Sequence, residues 1–304
     1  LGYILVTLWV IVTCTFFMMK NLPGTPFDAE RFSIMTPQQQ ERVLEMYGLN
    51  DSLPMQYVKY IKNMLKGDLG TSFTYVNQDV SKVITGRLGP SALIGIQAVL
   101  IGLAIGLILG ILAAWKHNSG IDYFTMILAV LGVSVPNFVA AALLQYYIGL
   151  KWGALPVGFW TGWNCSVLPS IALSFSATAM VARFMRTEML DVLDQDYIVT
   201  ARAKGLSQMK VLMRHAVRNS ILPVVTILGP IVVNLMTGSL AVENIFSIPG
   251  IGSLFVDCIK ANDYPVIMGI TIFYAAFYML IVLLVDLAYS LIDPRIRLAK
   301  GKES

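Results

Sequence analysis

Long apolar runs alternate with short polar connections along this chain. Six stretches stay apolar over the roughly 20 residues that a helix needs to cross a hydrocarbon layer about 30 Å thick. They lie near residues 1–19, 90–114, 123–150, 166–184, 221–242 and 266–289. The pattern predicts an all-α integral membrane protein whose six transmembrane helices form one bundle.

The polar residues 20–89 predict a small extracellular domain between transmembrane helix 1 (1–19) and helix 2. In this segment Thr36 and Pro37 begin a polar helical run that stops at Gly48, and Met55 to Leu65 has the period of an amphipathic helix. The domain is either a packed cap on the bundle or a landing surface for an external partner. Residues 90–304 then form the core with helices 2 to 6, including a cytoplasmic loop at 185–220.

Composition and charge narrow the class of protein. Hydrophobic residues make up 56% of the chain and charged residues 13%, whereas a soluble domain has about 25% charged residues. The net charge of +4 gives no reason to expect nucleic acid as a partner. We expect the first stretch to be a retained helix, because no small-residue cleavage site follows it before Lys20.

Basic residues predict the orientation in the membrane. Arg and Lys concentrate in the short loops and the tail on one side of the predicted bundle, which marks that side as cytoplasmic and places both termini there. These residues are Lys116, Arg183, Arg186, Arg202, Lys204, Lys210, Arg214, Arg218, Arg295, Arg297, Lys300 and Lys302.

Catalytic and metal-binding patterns are missing from the sequence. Cys14, Cys165 and Cys258 show no disulfide spacing, with the last two falling in connections, and His117 and His215 belong to no ligand cluster. The chain has no H-E-x-x-H, no G-x-S-x-G and no G-x-x-x-x-G-K-[ST] phosphate loop. We therefore predict no catalytic residue, no metal site and no bound cofactor in this chain.

Several polar residues fall within or near the predicted helices. Pro136, in the run 134–137, predicts a kink that either gates a path or only shapes packing. Ser174 and Thr178 suit close helix packing better than a path. Glu243 and Asp286 are the ionisable residues near membrane depth, and they form no charge relay of the kind expected of a self-powered carrier.

A basic segment at 197–223 separates the fourth and fifth helices. We predict a helix from Tyr197 to Lys204 that stops at Gly205, then a second helix capped by Ser207, and a membrane helix that begins at Pro223. One side of the second helix is predicted to face inward and the other to face water. The inward residues are Met209, Leu212, Met213, Ala216 and Val217, and the solvent-exposed ones are Lys210, Arg214 and Arg218. An alternative role is contact with anionic headgroups.

This basic segment resembles the EAA loop of ABC importer permeases. Residues Val199, Thr200 and Ala201 stand at the E-A-A positions, Gly205 follows, and residues 221–223 close the motif. The long spacing between Gly205 and Pro223 resembles the peptide and nickel branch of that family, and the B-type permease of oligopeptide importers in particular. Further segments that resemble this branch are 22–26, 67–72, 246–252, 263–265 and 293–295.

The resemblance implies a type I ABC importer permease fold in a bacterial plasma membrane. It further implies a heterodimer with a homologous permease, two ATPase subunits that carry ATP and Mg²⁺, and an extracellular peptide-binding lipoprotein. The substrate would be an oligopeptide, with a dipeptide, glutathione or nickel as alternatives of the same branch.

The resemblance also implies sites in this chain. Coupling to the ATPase falls to Tyr197, Thr200, Ala201, Arg202, Ala203, Lys204, Gly205 and Leu206. Candidates for the substrate path are Asn137, Gln145, Asn234 and Glu243, and candidates for contact with the binding protein are Phe246, Pro249 and Gly250.

Overall fold

A computed structural model describes residues 2–21, 32, 34–46, 48–75, 78–236 and 239–292. These residues are mostly helical. The β-structure among them is one isolated antiparallel bridge between Thr71 and Asp79. The prediction of an all-α fold is confirmed for this part of the chain.

The helices follow one another with short connections. They are α1 (Gly2–Lys20), α2 (Pro37–Met46), α3 (Leu53–Met64), α4 (Val80–Trp115), α5 (Gly120–Ser134), α6 (Asn137–Leu144), α7 (Val167–Leu193), α8 (Asp196–Ala203), α9 (Gln208–Val211), α10 (Arg218–Met236), α11 (Leu240–Ile245), α12 (Ile251–Lys260) and α13 (Tyr264–Ile292). A π-helical segment (Gln145–Lys151) continues α6, a second one (Leu212–Val217) joins α9 to α10, and a 3₁₀ turn (Trp163–Ser166) precedes α7.

Within the described residues, five helical stretches are long and apolar enough to cross a membrane: Gly2–Lys20, Val80–Trp115, Trp163–Leu193, Gln208–Ile245 and Tyr264–Val285. A sixth span is a pair of helical segments, Gly120–Ser134 and Asn137–Lys151, with a bend of 100° between them. The prediction of six spans is thus confirmed when the bent pair counts as one.

The second span begins earlier than the sequence pattern indicates. We expected a helix from residue 90, yet α4 starts at Val80, whose backbone N–H bonds to the carbonyl of Gly70. The residues from Val80 to Gly89 include the charged Lys82 and Arg87, so the sequence pattern does not count this stretch as part of an apolar span. None of these residues stops a helix, and α4 therefore includes them.

Two compact units make up the chain. The first unit comprises residues 1–89 and 250–277. Its core joins the start of α4 to α12 and α13 through fully buried aliphatic side chains, among them Val80, Ile251, Leu254, Ile267 and Ile270.

Helices α1 and α3 pack together within the first unit. The Oη of Tyr57 lies 2.7 Å from the Oγ1 of Thr13, and the ring of Phe16 contacts those of Tyr57 and Tyr60. The predicted helix 55–65 is therefore present, slightly shifted. The preceding helix α2 has the expected cap, because Thr36 exchanges hydrogen bonds with Gln39.

The second unit comprises residues 90–249 and 278–304, and α7 is its central described helix. Glycines spaced four residues apart on α4 let α7 approach closely. A Cβ placed on Gly102 would lie 2.7 Å from the Cβ of Ala177, and one on Gly106 would lie 2.7 Å from the Cβ of Val181. One on Gly110 would lie 2.6 Å from the carbonyl oxygen of Ala182.

The predicted kink at 134–137 is present and is a break between α5 and α6. Helix α5 ends where the N–H of Val135 bonds to the carbonyl of Leu131, and Val135 itself is extended. Pro136 has no N–H to continue the α5 ladder, and the next helix begins at Asn137.

A buried ion pair joins α5 to α7. The Nε and Nη2 of Arg186 donate to the two carboxylate oxygens of Asp122 at 2.5 and 2.8 Å, and the backbone N–H of Asn118 donates to the same carboxylate at 3.0 Å. Asp122 is 1% exposed. Arg186, which the sequence pattern assigned to a short loop, lies inside α7, and its partner stands 64 positions earlier in the chain.

Candidate functional site

Helix α8 lies on a small apolar cluster with one side open. Ile198 and Ala201 are buried against Val211 of α9, and Val192 and Leu193 at the end of α7 pack onto the same cluster. The opposite side is exposed and carries Tyr197, Val199, Thr200, Arg202, Ala203 and Lys204. Of the eight predicted coupling residues, Ala201 thus faces inward, Leu206 is half-buried, and the remainder form an accessible surface.

Gly205 ends α8 as predicted. Its φ is +76°, a left-handed conformation that favours glycine. The N–H of Gly205 bonds to the carbonyl of Arg202 at 2.9 Å, and that of Leu206 to the carbonyl of Ala201 at 3.4 Å. A Cβ at this position would meet nothing within 4 Å, so backbone conformation, not lack of space, calls for glycine.

The inward side of the second helix was predicted incorrectly in part. Leu212 and Ala216 are buried as expected, together with Val211, but Met209 and Met213 are 51% and 53% exposed. Met213 lies in the π turn at Leu212–Val217, whose i→i+5 bonding rotates the residues that follow relative to a regular α-helix, whereas Met209 lies before this turn in α9. Ser207 occupies the predicted cap position, yet its side chain makes no capping hydrogen bond.

The prediction that a membrane helix begins at Pro223 is wrong. Pro223 lies inside α10, which starts at Arg218 and continues the helical path from α9 through the π turn. The proline leaves the carbonyl of Asn219 without its helical donor, and Asn219 is exposed. An exposed, polar stretch of helix tolerates this loss.

The four candidates for the substrate path lie in different environments. Asn137 is half-buried at the start of α6, and Asn234 is exposed on α10. Glu243 is 2% exposed and accepts a hydrogen bond of 2.7 Å from the Oγ of Ser91. Gln145 donates through Nε2 to the carbonyls of Val157 and Ile245 at 2.6 and 2.7 Å. The geometry thus gives Gln145 a structural role, tying two segments of backbone together.

The candidates for contact with a binding protein are mostly covered. Phe246 is 1% exposed, Gly250 is buried, and Pro249 is half-buried. The carbonyl of Phe246 accepts the N–H of Phe159 at 2.8 Å. In this chain Phe246 therefore anchors the connection that contains Phe159, and the exposed Ser247 is the position in that loop open to a partner.

Other predicted segments fall outside the described residues. These are 22–26, 293–295 and the basic tail from Arg295 to Lys302, as well as the side chain of Asp286.

Ser174 and Thr178 line an apolar groove of about 920 Å³ in the second unit. The groove runs between α4, the bent pair and α7. The Oγ of Ser174 donates to the carbonyl of Ile171, and the backbone oxygen of Ser174 lies against Gly102. This placement supports the packing interpretation of Ser174.

Sequence reasoning missed residues whose partners are distant along the chain. Ser91 binds Glu243 across 152 positions, and Ser72 binds Asp263 across 191. Ser91 stands in no motif, whereas Ser72 ends the segment 67–72. The resemblance of residues 67–72 and 263–265 to one family was the available signal for the second pair.

Comparison with known proteins decides the family. The sequence model of the "binding-protein-dependent transport system inner membrane component" matches residues 106–298, and that of the corresponding N-terminal component matches residues 1–89. The chain belongs to this family of ABC importer permeases.

Relatives of this permease cover nearly its whole length. It is 45% identical over 298 residues to a dipeptide transport system permease of Lactococcus lactis subsp. cremoris (98% of this chain, 97% of the relative). It is 44% identical over 296 residues to a dipeptide permease of Bacillus subtilis (97% and 95%). An oligopeptide permease of Salmonella typhimurium is 39% identical over 295 residues (96% and 95%).

Two solved structures share the fold. An inward-facing methionine ABC transporter matches with a TM-score of 0.58 at 13% identity (70% of this chain, 97% of that chain). An amino acid ABC transporter matches with a TM-score of 0.53 at 20% identity (71% and 94%). The predicted type I importer permease fold is confirmed.

Proposed function

We propose that this permease forms half of a peptide-translocation pathway in a bacterial plasma membrane and is driven by ATPase subunits through the exposed side of α8. The observation that carries the proposal is the two-sided construction of α8. One side packs on the ends of α7 and α9, and the other side is open to a partner.

This construction suits the transmission of a displacement. Ile198 and Ala201 are buried with residues of both flanking helical stretches, Trp163–Leu193 and Gln208–Ile245, which are candidate membrane spans. A push on α8 therefore reaches two spans through direct side-chain contact, as in small rigid-body shifts of packed helices.

The partners follow from the family. An ABC importer permease works with a partner permease and with ATPase subunits. We propose specifically a heterodimer with a homologous permease, two ATPase subunits that bind ATP and Mg²⁺, and an extracellular peptide-binding lipoprotein. In this proposal the ATPase subunits provide the ATP site, and this chain binds no cofactor. The distribution of Lys and Arg supports termini on the cytoplasmic side.

Peptides are the substrate that the relatives support. The dipeptide permeases are 44–45% identical to this chain and the oligopeptide permease of Salmonella typhimurium is 39% identical. We therefore propose dipeptides as the first substrate to test, although the sequence pattern alone favoured oligopeptides. Glutathione and nickel are the competing substrates in the same assay.

Reconstitution into vesicles tests the proposal. The permease, its partner permease, both ATPase subunits and the binding protein are assembled, and ATP-dependent uptake of a labelled dipeptide, a pentapeptide, glutathione and Ni²⁺ is measured. We expect peptide uptake that needs ATP and the binding protein. Uptake without ATPase subunits would favour a self-powered carrier, and uptake of Ni²⁺ but no peptide would overturn the substrate assignment.

Replacement of Gly205 tests the coupling role. We expect Gly205→Val to abolish ATP-driven uptake while the chain still inserts and assembles. Gly153→Val is the matched control, because Gly153 also has a positive φ (+61°), has open space within 4 Å of where a Cβ would lie, and belongs to another connection of the same unit. Equal loss of uptake in both variants would assign the effect to backbone strain alone.

A cross-link tests docking separately from transport. A cysteine at the exposed Ala203 should form a disulfide with a cysteine in the cleft of an ATPase subunit, whereas a cysteine at the exposed Lys151 should not. Cross-linking from Lys151 but not from Ala203 would place the ATPase on the wrong side of the chain and contradict the proposal.

A further inference from the structure

Helix α3 carries two apolar stripes, and one of them is uncovered. Tyr57 and Tyr60 form the covered stripe, which packs on Phe16 of α1. Val58 and Leu65 belong to the second stripe and are 58% and 79% exposed. Apolar residues spaced at i and i+7 define a helix side that requires a non-aqueous neighbour.

A groove lies between this second stripe and α1. It has a volume of about 480 Å³, and its floor is formed by Trp9 of α1, by Val58 and Ile61 of α3, and by Leu65, which directly follows α3. Trp9 is itself 58% exposed. Only 11% of the apolar window of α1 is buried, so the groove is continuous with a membrane-facing helix surface.

Two basic side chains stand at the edge of the groove. Lys62 and Lys66 are one helical turn apart, are exposed and line the groove. The neighbouring Lys59 differs, since its Nζ is 2.6 Å from a carboxylate oxygen of Asp51. Among the described residues no carboxylate lies within salt-bridge distance of Lys62 or Lys66.

We propose that this groove, the α1–α3 groove, binds a phospholipid with an anionic headgroup. The phosphate lies between Lys62 and Lys66, and an acyl chain lies against Trp9 and Leu65. Lysine stems that cover apolar surface while the ammonium reaches the headgroups are typical of the bilayer interface, and Trp9, which lies deeper along α1, faces the acyl chains. The charge of the edge selects an anionic headgroup over a zwitterionic one.

Binding by a protein partner fits the groove less well. A partner helix would have to cover Leu65 and at the same time neutralise two neighbouring ammonium groups, whereas one anionic lipid meets both demands. The proposal thus assigns this side of α3 to the membrane and leaves the rest of residues 20–89 for an external partner.

Fluorescence quenching by brominated lipids tests the proposal on the assembled importer. Two sets of phosphatidylcholine vesicles are prepared, each with the same fraction of a lipid that carries bromine on its acyl chains. The brominated lipid is phosphatidylglycerol in one set and phosphatidylcholine in the other. The contribution of Trp9 is the difference between the wild-type protein and Trp9→Phe. We expect brominated phosphatidylglycerol to quench Trp9 more strongly than brominated phosphatidylcholine.

Replacement of the lysines gives the decisive comparison. Lys62→Gln with Lys66→Gln should weaken the preference for phosphatidylglycerol by about fivefold for each lysine removed. Arg42→Gln with Lys59→Gln removes the same charge from the same unit outside the groove and should leave the preference unchanged. Equal quenching by both lipids, a preference that survives loss of both lysines, or no quenching of Trp9 by either lipid would each overturn the proposal.

Discussion

The Oγ of Ser72 donates a hydrogen bond of 2.5 Å to the carboxylate of Asp263, although the two residues are 191 positions apart. The backbone N–H groups of Phe73 and Thr74 donate to the same carboxylate at 3.2 and 3.0 Å. Asp263 is fully buried and immediately precedes α13. One carboxylate therefore holds the turn before α4 against the start of α13, within the first unit.

Loss of this carboxylate should destabilise the first unit. We expect Asp263→Ala to lower the free energy of unfolding by about 3 kcal/mol, because the buried hydroxyl of Ser72 and the partly buried N–H groups of Phe73 and Thr74 lose a charged acceptor. Ser72→Ala should cost less, since the N–H groups of Phe73 and Thr74 keep the carboxylate of Asp263 and only the N–H of Tyr75 loses its hydroxyl acceptor. Thermal unfolding of the purified permease measures both. Asp257→Ala, at an exposed position of α12, is the control, and an equal loss there would contradict the assignment.

Close packing of α4 on α7 predicts a steric effect at Gly106. A Cβ there would lie 2.7 Å from the Cβ of Val181 and 2.9 Å from the carbonyl oxygen of Thr178. Gly106→Ala should therefore destabilise the protein by about 1–3 kcal/mol. Gly86→Ala on the same helix has nothing within 4 Å and should be neutral or slightly stabilising. Equal unfolding temperatures for the two variants would refute close packing.

The buried pair of Asp122 and Arg186 predicts strong coupling between the two side chains. Asp122→Ala should cost about 3 kcal/mol, since it leaves the largely covered guanidinium of Arg186 without its partner. Asp122→Leu combined with Arg186→Met should be considerably more stable than Asp122→Ala. Lys82→Ala, which breaks an exposed pair with Asp79, should leave stability almost unchanged, because solvent screens the pair. A double-mutant cycle on unfolding free energies that shows no coupling would contradict the pair's role.

Cys258 should resist thiol reagents across a wide pH range. It lies 1% exposed in α12, not in a connection as the sequence pattern indicated, and burial with nearby Asp263 and Asp257 raises its thiol pKa to about 12. A raised pKa keeps the thiol protonated below that pH, so the reactive thiolate is scarce at pH 7 to 9. In a Cys14→Ser, Cys165→Ser background, we expect N-ethylmaleimide to add mass only after unfolding. Labelling of the folded protein that rises steeply between pH 7 and 9 would argue for an ordinary thiol.

Gln145 should affect stability and not substrate choice. Its amide bonds to the carbonyls of Val157 and Ile245, so Gln145→Ala leaves two acceptors without a donor and should cost about 1–3 kcal/mol. Uptake of a dipeptide and a pentapeptide should fall by the same factor. A selective change in KM for one peptide, at unchanged unfolding temperature, would restore the substrate-path interpretation.

Features encoded by adjacent residues were predictable from the sequence. The end of α8 at Gly205 and the break at Pro136 depend on backbone preferences of the residues themselves, and the structure contains both. The six spans follow in the same way from apolar length.

Features that depend on distant contacts were not predictable. The exposed Met213 lies in a π turn that no sequence motif predicts, and the burial of Phe246 depends on the segment around Phe159. The role of Gln145 likewise requires the positions of Val157 and Ile245. A periodicity argument assumes one regular helix, and it fails wherever tertiary packing changes the helix type.

The first unit is discontinuous along the chain, and this has a consequence for biosynthesis. Residues 1–89 leave the ribosome before residues 90–249, and the segment 250–277 that completes their core comes only afterwards. Val80 and Ile84 meet Ile267 and Ile270, and Ser72 meets Asp263, only when the chain is nearly finished. The helices of the second unit are thus synthesised while the first unit is still incomplete. A nascent chain that ends before Asp263 therefore cannot complete the core of the first unit.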